Sequence, residues 1–324
     1  MDLSLSRLQR FYHVDDFLII WSADQDCELE YSGLLDVFAY LRVPLNSKAV
    51  TPCHLLPFVG LLFDMISMLV SVTKERRERL VFLLSELLAL PYVTSTQLSS
   101  ICGKLAHVSI VLPAGKPFLS RMFGALGKAA GRTIALTESL RADMRWWADH
   151  LPKWPGVRAL DRSTWYRKAN IKVISDASLI GQGAHFRDQK GVIHHFSAPW
   201  STAQLASARR LTSISMPMLE LTAIITAAKL WSKMFKGQCV LFVTDCEPVM
   251  YAINRGITQE ESIAELLRTL ASLAVKHNFE FRSAHIAGQS NHLADSLSRL
   301  QEVQVTNLLC GLHSSNWKVP GPDL

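Results

Sequence analysis

The sequence predicts a mixed α/β fold, and three observations predict it. Three short β-like segments follow one another after residue 170, with turn residues between them. From residue 215 to 300 single apolar strands then alternate with segments of helical spacing. Finally, 324 residues with 49% apolar content suffice for about two domains, each with its own core. Charged residues, at 19%, sit somewhat below the usual quarter; this composition excludes a mainly disordered chain, a collagen and a coiled-coil rod.

In chain order, Phe11 to Ile20 places apolar and β-branched residues on both sides of Asp15 and Asp16, which predicts a β-hairpin with carboxylates at its tip. A helical segment follows around Leu34–Leu41, then a strand over Leu56–Leu62 that carries Gly60. From Lys74 to Leu90 the spacing of Leu80, Leu83, Leu84, Leu87 and Leu88 is helical and is closed by Pro91. Thr94-Ser95-Thr96 offers N-caps for a helix through Ile101 and Leu105. Between Trp146 and Asn170 the periodicity is lost, so a connector and domain boundary are expected there. Strands are then predicted at Ile171–Ser175, Gly181–Phe186 and Gly191–Phe196. Ser215 and Pro217 open a helix with Leu219, Ala223, Ala227 and Leu230 on its apolar face. Val240–Thr244 is a strand, Pro248 starts a helix, and Ile263, Leu267, Leu270 and Ala274 mark another. Phe279–Ala284 is the last strand and His292–Leu300 the last helix. This order predicts a mixed sheet with helices packed against it.

The formal net charge of +6 favours polyanionic partners such as nucleic acid, although many soluble enzymes carry as much. The six cysteines are scattered without a C-x-x-C pair, which speaks against a disulfide framework or a zinc cluster. No basic stretch leads from Met1 into an apolar segment, and Leu55–Val70 is interrupted by Pro57 and Asp64. An intracellular, soluble protein without a membrane span is therefore expected, its compartment left open between nucleus and cytoplasm.

Four acids fall at the ends or edges of predicted elements: Asp176 after a strand, Glu220 in the first turn of the Pro217 helix, Asp245 after a strand, and Asp295 in the last helix. In an α/β sheet, strand ends and adjoining helix starts share one crevice, so these acids can converge. Clustered carboxylates need cations, and an all-oxygen site suits Mg²⁺ or Mn²⁺. Two such ions are a known device for phosphodiester hydrolysis. Taken singly, Asp176 and Asp245 also read as strand-ending turn residues, and Glu220 as an acid favoured at the positive end of its helix. Asp295 also reads as a surface acid near Arg299, and His285 as a structural histidine.

These residues carry a resemblance. Ile174-Ser175-Asp176-Ala177-Ser178 with Gly181 and Gly183, then Leu219-Glu220-Leu221, then Thr244-Asp245, then His285 through Arg299 occur in the order of ribonuclease H domains from retroelement polyproteins. The resemblance implies a ribonuclease H-like mixed sheet. It also implies that Asp176 bridges two metal ions, Glu220 and Asp245 hold one, and Asp295 holds the other. His285 would match the family's mobile histidine in proton transfer or product release, and Asn291 an asparagine that fixes the loop.

His13-Val14-Asp15-Asp16 resembles the Tyr-x-Asp-Asp turn of reverse transcriptases, with His in place of Tyr. Asn46-Ser47-Lys48, the segment from Pro57 to Asp64, and Leu98–His107 with Pro113–Leu119 resemble the palm end and thumb or connection of DIRS-type retrotransposon polymerases; hepadnaviral polymerases are similar. The implied organisation is a partial palm (1–72), a helical thumb or connection (73–145), a linker (146–170), a ribonuclease H-like domain (171–302) and a C-terminal tail (303–324). Few residues precede His13, so the palm's earlier aspartate and the fingers are expected to be missing, leaving Asp15 and Asp16 as a vestigial polymerase site. The expected function is metal-dependent cleavage of the RNA strand of RNA/DNA hybrids, without DNA synthesis by this chain alone. The alternatives are a silent or domesticated nucleic-acid-binding remnant, and a fragment that works with an upstream polymerase part or as a homo-oligomer. Lys104, Lys116 and Arg121, within a longer run of basic residues to Arg132, read either as a phosphate-binding track or as a solvated face. Trp146, Trp147 and Trp154 read as base-stacking or, alternatively, as packing between domains.

Overall fold

The computed structural model describes residues 9–13, 16–20, 26–45, 50–58, 60–129, 131, 133–154, 156–160, 169–209 and 214–314. The chain forms two compact units, one of Met1–Arg79 with Trp154–Leu160 and one of Leu80–Lys153 with Asp161–Leu324. This division departs from the expected one: the helical stretch from Leu80 groups with the later sheet.

In the first unit, β1 (Gln9–His13) and β2 (Asp16–Ile20) pair antiparallel with His13 opposite Asp16. Val14, Asp15 and Asn46-Ser47-Lys48 lie outside the described residues. Helix α1 (Cys27–Tyr40) starts a full two turns before Leu34. Its Asp26 side chain caps it, accepting from the Leu29 N–H at 3.2 Å. The single strand expected over 56–62 is instead a hairpin of β3 (Leu55–Phe58) and β4 (Leu61–Asp64). Gly60 turns the chain with φ 72°, a conformation glycine adopts without penalty. Beside β4 run β5 (Leu69–Ser71) and then β8 (Val157–Ala159), the latter drawn from the stretch read as a linker. Helix α2 (Lys74–Leu88) runs across the division between Arg79 and Leu80, and the predicted Leu80, Leu84 and Leu87, all in the second unit, are buried.

The second unit opens with a helical layer. Strands β6 (Tyr92–Thr94) and β7 (Thr133–Ala135) pair antiparallel. Helix α3 (Ser95–Val108) begins, as predicted, at Thr94, which exchanges reciprocal hydrogen bonds with Gln97 at 3.1 and 2.9 Å. A 3-10 segment (Pro113–Leu119), α4 (Ser120–Ala129) and α5 (Glu138–His150) complete the layer. Trp146 and Trp147, read as connector residues, lie on α5. Trp146 stacks on Phe118 with ring centroids 4.0 Å apart, and Trp147 is fully buried against Gly115, where a Cβ would meet its ring at 2.1 Å.

The sheet that follows has the order β11-β10-β9-β12-β13. Strands β9 (Ile171–Ala177), β10 (Gly181–Arg187) and β11 (Ile193–Pro199) form an antiparallel meander. Strands β12 (Cys239–Thr244) and β13 (Glu280–His285) run parallel to β9. Around it lie α6 (Thr202–Ala208), α7 (Met216–Trp231), α8 (Glu247–Arg255), α9 (Glu261–His277), α10 (His292–Ser298) and α11 (Glu302–Ser314). Helix α6 has no counterpart among the predicted elements, and α11 forms where a C-terminal tail is expected.

Alternating side chains divide the sheet into two faces. Val173, Phe186 and Phe242 pack under Leu221 and Ile224 of α7 and Leu267 and Leu270 of α9. Burying each such side chain contributes roughly 1.5–3 kcal/mol. Ile174, Leu241, Val243 and Ala284 pack on the other face against Ala294 of α10. Helix α10 comes this close because β10 carries glycines beneath it: a Cβ on Gly183 would meet Leu297 Cβ at 2.3 Å and Ser298 N at 2.7 Å.

A buried charge network joins the helical layer to the sheet layer. Arg268 of α9 and Arg121 of α4 lie 3.1 and 3.2 Å from Asp143 Oδ1 of α5, whose side chain is 2% exposed. Both guanidiniums also reach Glu261 and Glu265 of α9. All six cysteines are free thiols, and no helix among the described residues is long and apolar enough to cross a membrane.

Candidate active site

Strand β9 delivers the first acid. Asp176 lies directly opposite Gly183 of β10, so its carboxyl projects on the face covered by α10. Helix α7 brings Glu220 beneath the strand end, where Oε1 accepts from the Ala177 N–H at 3.3 Å and Oε2 from the Thr244 hydroxyl at 3.5 Å. Asp245 follows β12 immediately. One oxygen from each of these three acids lies within 4.8 Å of the others.

Asp176 and Glu220 are buried and Asp245 is half-buried. Among the described residues, no Lys or Arg forms an ion pair with any of the three. Burial therefore pushes the Glu220 carboxyl up to about 9, with the Asp176 and Asp245 charges adding to it. Asp176 is raised to about 6, again mainly by burial, while a hydrogen bond from Ser298 opposes the rise. Burial also raises Asp245, and His285 counteracts it.

Helix α10 supplies the holding contacts. Ser298, fully buried, donates its hydroxyl to Asp176 Oδ2 at 2.5 Å. Asn291 Nδ2 lies 3.3 Å from the Ser175 carbonyl and 3.4 Å from Asp176 Oδ1. The sequence reading missed Ser298; its only signal is the three-residue spacing from Asp295, which puts both on one helical face. Asp295 itself stands outside the group of three. Its Oδ1 accepts from Arg299 Nε at 2.7 Å, and both side chains are about half exposed. Even so, Asp295 is near enough to raise Asp176 and Asp245 by its charge. His285 ends β13, opposite Thr244 in register and beside Asp245.

Of the residues expected to form a basic track, Arg121 is held in charge-assisted bonds by Asp143, Glu261 and Glu265. Lys104 donates to Ser100 on its own helix, and Lys116 packs beside Gly256. Arg132, like Asp15, lies outside the described residues.

The donor set fits a hard divalent cation. It is all oxygen, it converges from three elements, and among the described residues no Lys or Arg forms an ion pair with it.

No family model matches the chain, and no curated protein matches it. Among solved structures it is similar to LC11-RNase H1, isolated from compost by a metagenomic approach (19% identity, TM-score 0.32, covering 44% of this chain and 99% of that one). It is also similar to RNase H1 from the halophilic archaeon Halobacterium salinarum (14%, TM-score 0.30, 41% and 98%). A third similar structure is the foamy viral protease-reverse transcriptase in complex with an RNA/DNA hybrid (14%, TM-score 0.35, 85% of this chain). The chain spans 35% of that protein's length.

Proposed function

We propose that the sheet of the second unit is a ribonuclease H-like nuclease that hydrolyses the RNA strand of RNA/DNA hybrids with Mg²⁺ or Mn²⁺. One observation carries the reading: acids 44 and 69 residues beyond Asp176 in sequence bring their oxygens within 4.8 Å of one another beside it, with no cationic side chain paired to them. A solvated or capping acid has no reason to accept that repulsion.

Asp176, Glu220 and Asp245 would hold one ion, and Asp295 would contribute to holding a second. When bound, the pair supplies activation of the attacking water and stabilisation of the leaving oxygen. Ser298 and Asn291 fix the Asp176 carboxyl, and Thr244 with the Ala177 amide fixes Glu220. His285, at the rim beside Asp245, accepts or returns a proton as the product leaves. Strand recognition rests on phosphates and on the 2′-hydroxyls that distinguish RNA, with little reading of sequence.

The same reading takes the N-terminal unit as akin to part of a DIRS-type retroelement polymerase palm, supported by the hairpin that sets His13 opposite Asp16.

A labelled RNA/DNA hybrid, double-stranded RNA and double-stranded DNA, each with Mg²⁺ or Mn²⁺, test the proposal. Wild type should cut only the hybrid. Asp176→Asn and Asp245→Asn should each lose roughly a hundredfold or more, the scale of removing one electrostatic stabiliser of the transition state. Near wild-type cleavage by either variant overturns the site assignment. Tight hybrid binding without cleavage at millimolar Mn²⁺ makes the domain a binding remnant instead.

A further inference from the structure

The fourth acid is the odd one, and its partner explains why. Asp295 and Arg299 are four residues apart on α10 and its C-cap, hence on one face of the helix. Arg299 Nε sits 2.7 Å from Asp295 Oδ1. The two charges of the pair both reach Asp176, Asp295 raising that carboxyl and Arg299 lowering it. A cation approaching Asp295 therefore meets an oxygen already occupied by a guanidinium.

The pair is easily opened. Its side chains are 54% and 41% exposed, and exposed pairs of this spacing are among the weakest ionic contacts in proteins. A guanidinium released from Asp295 has five donors in a planar fork, a geometry that matches a phosphate oxygen pair. It would be released next to Asp295 and within reach of the Asp176 charge, at the edge of the proposed metal site.

We propose that Arg299 is a positioning residue that exchanges partners: it holds Asp295 while no divalent cation is bound there, and once Asp295 turns to the cation it donates to a phosphate oxygen of the bound strand. The metal thus sets a substrate contact as well as the acids. The inference rests on the metal-site reading of Asp176, Glu220, Asp245 and Asp295.

The full chain tests it with two probes. The first is Mn²⁺ alone, followed through the electron paramagnetic resonance signal of the free ion. The second is a fluorescent RNA/DNA hybrid bound in Ca²⁺ across a salt series. Relative to wild type, Arg299→Gln should bind its weaker Mn²⁺ about two- to threefold tighter, because the competing cation is gone. The same variant should bind the hybrid about tenfold more weakly. Its slope of log affinity against log salt should be shallower by about one, the signature of one lost phosphate contact. Arg299→Lys, which keeps the charge, should restore both properties in part. A merely structural role for Arg299 would weaken both bindings together and leave the salt slope unchanged. Unchanged Mn²⁺ affinity or an unchanged salt slope in Arg299→Gln overturns the exchange. If wild type shows no saturable Mn²⁺ binding that Asp245→Asn diminishes, the metal site falls, and the exchange falls with it.

Discussion

Three carboxyls gathered without an ion-paired Lys or Arg among the described residues hold protons more tightly in the folded protein. Asp176 and Glu220 bind protons more tightly folded than unfolded, with values of about 6 and 9 against ordinary values of 3.8 and 4.5. Each raised value means that stability falls as pH climbs from the unfolded value through the folded one. Metal-free protein should therefore melt at a lower temperature at pH 8 than at pH 5. Glu220→Gln should flatten that dependence, and Mn²⁺ uptake near pH 7 should release protons measurable in weak buffer. Ser298→Ala removes a donor from a buried carboxylate. It should cost about 1–3 kcal/mol in thermal unfolding and weaken Mn²⁺ binding roughly 10- to 100-fold. The acids were legible in the sequence because strand ends and helix starts advertise themselves. Ser298 was not, since a serine in a short helix acquires its partner only when that helix is laid over another strand. The partners of Arg121 were hidden for the mirror-image reason: two of its three acids, Glu261 and Glu265, lie more than a hundred residues away.

Elements whose local chemistry is self-sufficient were readable to within a few residues. Thr94 with Gln97 fixes the start of α3, and the apolar spacing of α9 matches its buried face. Where a turn decides, the reading failed: one apolar run over 56–62 folds back at Gly60, and the polar-looking stretch after Leu300 continues as α11. The seat of α10 depends on a residue in another element. Gly183→Ala should push Leu297 and Ser298 off the sheet, costing about 1–3 kcal/mol and loosening the Asp176 contact with them. Gly103, with open space around it in α3, provides the control: Gly103→Ala should stabilise by about 0.5–1 kcal/mol. Chemical denaturation of the two variants side by side checks both signs.

Across the second unit, the helical layer and the sheet share the Asp143–Arg268–Arg121 network. The sequence reading separated them at Trp146 because aromatic and proline residues there mimic a linker, whereas the tryptophans in fact fill the helical core. Arg268 is 5% exposed, and its removal leaves the buried Asp143 with Arg121 as its one remaining cationic partner among the described residues. Arg268→Ala should cost about 1–3 kcal/mol. Far-ultraviolet dichroism and tryptophan fluorescence should still report one common transition, shifted downwards. The sheet order has a last consequence. Strand β9 is hydrogen-bonded on both flanks, to β10 and to β12. Its amides should be among the slowest in the protein to exchange with deuterium. Asp176 rides on that strand, so the carboxyl expected to serve both ions is mounted on the part of the chain that opens least often.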